Sequence, residues 1–290
     1  MKRSFNVTGA CDPRLHYMVD LTDRLKKVRS LVDKGAYFTI NRARQYGKTT
    51  MLNALKKYLE EDHTVVSVDF QFLSHASFQN EASFVRAFSR ELVVAVGGDT
   101  TVPEKIKSRL QDFSVLSGEG TELGELFAVF SHWCAASAKP VVLMIDEVDS
   151  ATNNQVFLDF LSQLRGYYIH RVERPTFQSV ILAGVYDVKN IRRKIRQDEE
   201  HDKINSPWNI ATDFKVDMNF TAEDIGGMLR EYEADHRTGM DVEEIARLIY
   251  EYTAGYPFLV SRICQIIDEE ILGPDKGQES QGGWTRAGFL

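Results

Sequence analysis

Residues 41–50 read NRARQYGKTT. The last four letters match the end of the phosphate-binding pattern G-x-x-x-x-G-K-[ST], in which backbone N–H groups, a lysine and a hydroxyl surround phosphate. The first glycine of that pattern would fall at Arg42, so the tetrapeptide alone is weak evidence. Its flanks decide the reading. GAYFTI, residues 35–40, is a β-rich run, and GKTTMLNALKKYLEED follows with Met51, Leu52, Leu55 and Leu59 at helical spacing. The GKTT therefore stands between a strand and a helix. A helix N-terminus and its dipole favour an anion there. Gly47 lets the backbone wrap closely around phosphate. Lys48 adds a point charge for the β- and γ-phosphates, and Thr49 offers a hydroxyl to Mg²⁺.

A second element raises the weight of the first. KPVVLMIDEVDS, residues 139–150, is an apolar run followed by acids, as in a central parallel strand covered on both faces. Asp146 at the strand end can hold Mg²⁺ through water, and Glu147 can orient and deprotonate an attacking water. An acidic turn after a strand is common by itself. Its pairing with the strand–GKTT–helix unit is what an additional-strand P-loop ATPase needs.

The remaining elements fit around these two. HTVVSVDFQF reads as a strand, and FQNEASFVRAFSRELVVAV as a helix with Phe78, Phe84, Phe88 and Leu92 on one face. PEKIKSRLQDF is a short helix. ELGELFAVFSHWCAAS and NNQVFLDFLSQLRGYYIHR are longer ones. FQSVILAGV is another apolar strand, and NIATDFKVDMNF, residues 209–220, a weaker one. Strands alternating with helices imply a mostly parallel sheet with right-handed crossovers. Phe84, Phe88, Phe127, Phe130, Phe157 and Phe160 are assigned to its core.

From Thr221 the pattern changes to three helices with no strand between them: TAEDIGGMLREYEADH, DVEEIARLIYEYTAG and YPFLVSRICQIIDEEI. Thr221 is a good N-cap with Asp224 three residues on, and Gly255 ends the second helix. The expected organisation is an α/β domain over residues 1–219, a small helical unit over 220–273, and a linker or the start of a further C-terminal region over 274–290.

Composition excludes several classes. The net charge of −7 argues against a whole-domain nucleic-acid footprint. Cys11, Cys134 and Cys264 are far apart and have no zinc-ligand spacing. The N-terminus lacks the apolar stretch of a signal peptide, and PVVLMI is too short to span a bilayer. A cytoplasmic protein with reduced thiols and no membrane contact is expected. The histidines are scattered, with no nucleophile pattern around them.

The loop RARQYGKTT resembles the phosphate loops of the AAA-ATPase-like proteins and of the related AAA-like family, on the AAA+/STAND side of the P-loop NTPases. In such loops the first glycine is often replaced, so Arg42 fits, and Arg44 matches an arginine usual three residues before the second glycine. HYMVDLTDRLKKV resembles the box that starts these domains. There the resemblance makes Tyr17, Met18, Val19 and Asp20 candidates for the base side of the nucleotide. TAGYPFLVSRICQ resembles the G-x-P entry to a helical lid. That likeness puts Gly255 and Pro257 near the nucleotide and makes Arg262 a candidate sensor 2. Across residues 5–272 the resemblance implies an α/β P-loop NTPase with a mostly parallel sheet followed by a small helical lid.

The reading that follows is an ATPase that couples ATP binding and hydrolysis to conformational change. Arg44, Gln45, Tyr46, Gly47, Lys48, Thr49 and Thr50, together with Tyr17, Val19, Pro257 and Arg262, bind the nucleotide. Thr49 and Asp146 hold Mg²⁺, and Lys48 and Glu147 are catalytic. The alternative is a low-turnover, nucleotide-gated switch or scaffold acting through a partner or a C-terminal region of the nuclease type. Tyr186 or Asp187 is the nearest candidate for a sensor 1. Lys189, Arg192, Arg193, Lys194 and Arg196 form a basic cluster. It reads as a solvated helix with i,i+4 ion pairs; the functional alternative is an arginine finger reaching a neighbouring subunit, or a contact to a partner or DNA.

Overall fold

A computed structural model describes residues 3–115, 121–185, 208–271 and 283–289. By contacts the chain divides into two compact units. One comprises Met1–Lys27, Arg44–Ala54 and Val216–Leu290, and the other Val28–Ala43 and Leu55–Lys215.

The second unit is a four-stranded parallel sheet among the described residues, in the order β1-β4-β3-β2. Its strands are β1 (Tyr37–Asn41), β2 (Thr64–Asp69), β3 (Val141–Asp146) and β4 (Ser179–Gly184). The chain runs from β1 to the far edge and then returns through β3 to β4. Helices therefore lie on both faces if the crossovers keep their usual hand. β4 is inserted between β1 and β3, the additional strand of the ATPase class named above. β3 and β4 are buried at every position, as strands covered on both faces must be.

The crossover between β2 and β3 holds α3 (Glu81–Val96), α4 (Glu104–Val115) and α5 (Leu123–Ala136), and α6 (Gln155–Ile169) joins β3 to β4. Asn80 caps α3 by accepting the Ser83 N–H. The phenylalanine stripes of these helices meet in one core: Phe84, Phe88, Phe127, Phe130, Phe157 and Phe160 are all buried. The rings pack in stacked, tilted and edge-on pairs: Phe84 lies parallel to Phe88 at 14°, while Phe88 and Phe160 are 5.4 Å apart at 74°.

The weaker strand expected over residues 209–220 does not form. What remains is a lone parallel bridge between Phe38 and Thr212, with the Thr212 N–H donating to the Tyr37 carbonyl at 2.8 Å. Residues 208–214 wrap the outer edge of β1 in the described sheet rather than extending along it. Trp208 packs beside Tyr37 on one face and donates its Nε1–H to Thr39 Oγ1 at 2.8 Å. Phe214 stacks on Phe38, which points to the other face, at 5.9 Å and 7°.

The first unit is largely helical. α7 (Ala222–His236), α8 (Val242–Thr253) and α9 (Pro257–Gln265) pack around Ile225, Leu229, Ile245, Ile249 and Val260, and a π-helical turn, Ile266–Ile271, continues α9. The Thr221–Asp224 capping box opens α7 with both of its reciprocal bonds. Asp241 caps α8. Phe5, Tyr17 and Val19 from the N-terminal segment join the same core. Within the 274–290 stretch, Trp284 is buried with its ring 5.0 Å from Tyr232, just before α10 (Arg286–Phe289). Residues 274–282 lie outside the described ones. Two helices run across the joins between the units: α1 (Thr22–Asp33) and α2 (Lys48–Leu59).

Candidate functional site

The candidate residues fall on both units. On the first, the loop after β1 leads into α2, whose first residue is Lys48. Gly47 has φ +72°, a conformation natural to glycine, and nothing lies within 4 Å of where its Cβ would be. Gln45 also has a left-handed backbone, with φ 62°, which is uncommon for a residue with a side chain. The loop thus turns twice through the left-handed region just before the helix. Arg44, Gln45 and Thr49 are exposed, Tyr46 and Gly47 half-buried, and Lys48 buried.

Two contacts fix this loop. Thr50 Oγ1 accepts the Cys11 N–H at 3.0 Å, which ties the start of α2 to the N-terminal segment. Burial pushes the Cys11 thiol up, against the opposing bonds from Asn6 and Thr50. On the other side, Tyr256 Oη donates to the Arg44 carbonyl at 2.9 Å, and its ring lies 4.7 Å from that of Tyr46.

The G-x-P segment is built on a contact that only glycine permits. A Cβ at residue 255 would meet the Phe220 carbonyl oxygen at 1.9 Å, and φ there is +74°. The Phe220 N–H donates to the Gly255 carbonyl at 2.8 Å. Pro257 occupies the first turn of α9, where its missing N–H costs nothing. Arg262 lies on α9 and donates to Gln265 Oε1 at 2.8 Å.

Tyr17 and Val19 sit in the core of the first unit. Tyr17 is 2% exposed, and its hydroxyl donates to Asp235 at 2.9 Å. Arg3 lies over the Tyr17 ring at 4.6 Å and pairs with Asp235 and Glu231. Burial and the Asp235 carboxylate push the Tyr17 phenol up to about 12. A part for Tyr17 and Val19 on the base side of a nucleotide is therefore a proposal beside a packing role that is already plain.

On the second unit, the strand register aligns Asn41 with Gly184 and Asp69 with Asp146, so these four residues end their strands along one edge of the sheet. Open α/β sheets bind ligands outside this carboxyl edge. Asp146 is buried, and its Oδ1 accepts the Glu147 N–H at 2.9 Å. Glu147 follows in the left-handed region, with φ 52°, which turns the chain sharply into the 3₁₀ turn Val148–Ala151. Burial pushes the Asp69 carboxyl up, with the nearby Asp146 charge adding to it and the Gln71 N–H opposing.

Two residues with defined work were missed by sequence reasoning. Asp149 Oδ2 accepts the Val185 N–H at 2.5 Å, which anchors the chain as it leaves β4. Tyr256 was passed over as the variable position of G-x-P, although a tyrosine between glycine and proline was the available signal. The sensor 1 candidates Tyr186 and Asp187 and the basic cluster at 189–196 lie outside the described residues. No group of three or more His, Cys, Asp or Glu among the described residues is placed to hold a metal.

A parallel sheet with a strand between the loop strand and the acidic strand, entered through a glycine–lysine–threonine helix start, is the architecture of P-loop ATPases. The chain belongs to the family of AAA-like domains, which matches residues 16–272. Its fold is similar to that of a Walker-type ATPase of Pyrococcus abyssi, with 14% identity and a TM-score of 0.62 over 93% of this chain and 73% of that one. It is also similar to the Orc1 protein of Aeropyrum pernix, solved in complex with DNA, with 11% identity and a TM-score of 0.51 over 91% and 64%. The Orc2 protein of the same organism, solved with ADPNP and ADP, gives 15% identity and 0.51 over 90% and 64%. The chain thus spans less than two thirds of each Aeropyrum chain. No curated protein matches it. No helix among the described residues is long and apolar enough to cross a membrane.

Proposed function

We propose that this chain binds ATP with Mg²⁺ and hydrolyses it as an AAA+/STAND-type ATPase that couples nucleotide state to a change of shape. The observation that carries the reading is the loop at Gly47. Its backbone is left-handed and open at the Cβ position, and Lys48 and Thr49 follow as the first residues of α2. Such a loop offers convergent N–H groups and a cation to phosphate oxygens. ATP supplies the phosphoryl group to be transferred, and Mg²⁺ neutralises its developing charge.

Each residue has one task in this reading. Arg44, Gln45, Tyr46, Gly47 and Thr50 shape the loop. Lys48 holds the β- and γ-phosphates by its charge. The Thr49 hydroxyl and the Asp146 carboxylate are hard oxygen donors suited to Mg²⁺, which needs only one or two protein ligands besides phosphate and water. Glu147, first after β3, orients water and accepts its proton. Pro257 and Arg262 belong to the 220–273 helical unit, which serves as the lid. Closure of such a lid converts binding into movement. A cytoplasmic setting and a homo-oligomer or protein partner belong to the same proposal. DNA is a lesser candidate partner, suggested by the Aeropyrum Orc1 complex.

The test is ATP binding and turnover by the purified chain beside Lys48→Ala and Glu147→Gln. The expected result is loss of binding in the first, and retained binding with turnover lowered at least about a hundredfold in the second. A Lys48→Ala variant that binds as tightly as wild type refutes nucleotide binding at this loop. Tight binding with no turnover in wild type, and no change on Glu147→Gln, favours the nucleotide-gated switch over the ATPase.

A further inference from the structure

Tyr256 makes two contacts to the phosphate loop, and they bracket its most constrained residue. Its hydroxyl donates to the carbonyl of Arg44, and its ring packs against Tyr46. Between those residues stands Gln45, whose left-handed backbone is one that residues with side chains seldom keep without support. We propose that Tyr256 is a positioning residue that holds the phosphate loop in its turned shape from the corner between α8 and α9.

The corner is suited to that task because its own backbone is fixed at every step. The Thr253 hydroxyl donates to the Ile249 carbonyl and accepts the Gly255 N–H, at 2.6 and 3.1 Å. Gly255 is hydrogen-bonded to Phe220 and lies too close to it for any side chain. The Tyr256 N–H donates to the Thr253 carbonyl, and the Tyr256 carbonyl accepts the Val260 N–H as α9 begins. Pro257 then removes the freedom of the next residue. A tyrosine mounted this way cannot follow the loop; the loop follows it.

The inference deepens the nucleotide reading and rests on it for its functional consequence. Anything that displaces the α8–α9 corner then changes phosphate affinity, and bound phosphate stabilises the corner to the same degree. The sequence signal was the residue between Gly255 and Pro257, and the coupling needs only that residue and the loop.

The experiment has two arms. The first is amide hydrogen exchange on the nucleotide-free chain. Tyr256→Ala is expected to speed exchange at residues 44–47 about fivefold or more while leaving α8 unchanged, with Tyr256→Phe in between. Unchanged exchange at 44–47 in both variants overturns the proposal, whatever the chain binds. The second arm is ATP titration, in which Tyr256→Phe is expected to weaken binding about three- to tenfold and Tyr256→Ala more. In combination with Tyr46→Ala, Tyr256→Ala is expected to add less than its separate effect. Faster exchange with unaltered ATP affinity overturns the coupling to binding. Lys48→Ala run alongside reports on the nucleotide reading alone, so failure of that reading and failure of the Tyr256 role give different patterns.

Discussion

Both carboxylate oxygens of Asp149 stand 3.0 Å from the point where a Cβ on Gly184 would be. The same carboxylate accepts the Val185 N–H. The end of β4 is thereby pressed against the turn that follows β3, and the residues leaving both strands share one anchor. Gly184→Ala is expected to destabilise the protein by about 1–3 kcal/mol through overpacking, read as a lower urea midpoint. Asp149→Ala alone should also destabilise, by about 1–3 kcal/mol for a charged hydrogen bond. Because it removes part of the obstruction, Val148 Cγ2 being also 3.0 Å from that point, the double variant should lose less than the sum. Additive losses would mean the two residues do not press on each other.

The Gly255–Phe220 contact is tighter and involves backbone on both sides. No rotamer change can relieve an approach of 1.9 Å to a carbonyl oxygen. Gly255→Ala is expected to cost more than about 3 kcal/mol, combining left-handed strain with displacement of α9. Thermal unfolding followed by circular dichroism checks this, and a melting temperature near that of wild type contradicts it.

Asp224 links stability to pH. It closes the capping box with Thr221 and accepts Arg24 Nη2 at 2.8 Å. Burial pushes its carboxyl up, but the Arg24 guanidinium and the Thr221 bonds outweigh that, and the net shift is below the ordinary aspartate range. A carboxylate depressed in the folded state contributes fully above its unfolded value, about 3.9, and the contribution is lost as pH falls through the folded value. Wild type should therefore lose stability below about pH 4. Asp224→Asn should be less stable at neutral pH by about 1–3 kcal/mol and have a flatter acid limb. Parallel acid limbs in the two proteins would discount Asp224.

Trp208 and Thr39 form a buried indole–hydroxyl bond on the face of β1. Trp208→Phe should cost about 1–3 kcal/mol from the lost bond and the smaller ring. Thr39→Val removes the other partner, and the double variant should recover part of the loss. Equilibrium urea unfolding, followed by circular dichroism, separates these cases.

Much of the fold was legible because it rests on periodicity. The apolar run at 141–145 marked a strand buried on both faces, and the spacing of Phe84, Phe88 and Leu92 marked a helix face. The Thr221–Asp224 spacing marked a helix start to the residue. Residues 209–220 misled for a physical reason. Phe214, Val216 and Met218 do alternate into buried positions, as in a strand, but burial alternates too in a segment that pairs with the sheet only at Thr212. The turn at Gly47 could be read because a β-rich run, a glycine and a helical spacing follow one another directly there. Asp149 could not, because it acts on a backbone N–H distant in sequence, where residue type leaves no trace; for Tyr256 the tyrosine between Gly255 and Pro257 was a signal, but nothing in the sequence named its partner. Tyr17 read as a motif residue, while its hydroxyl bond to Asp235 is invisible in a linear pattern.

The wrap of residues 208–214 around β1 has a bearing on how the protein fails. YFTIN is a short, aromatic, uncharged strand at the margin of a sheet, the type of segment that recruits another chain when its backbone is bare. Trp208, Thr212 and Phe214 shield it from both faces and from the side. Peeling this flap away would uncover the strand without dismantling the rest of the sheet, so variants that loosen it should clump into aggregates before they lose helix content.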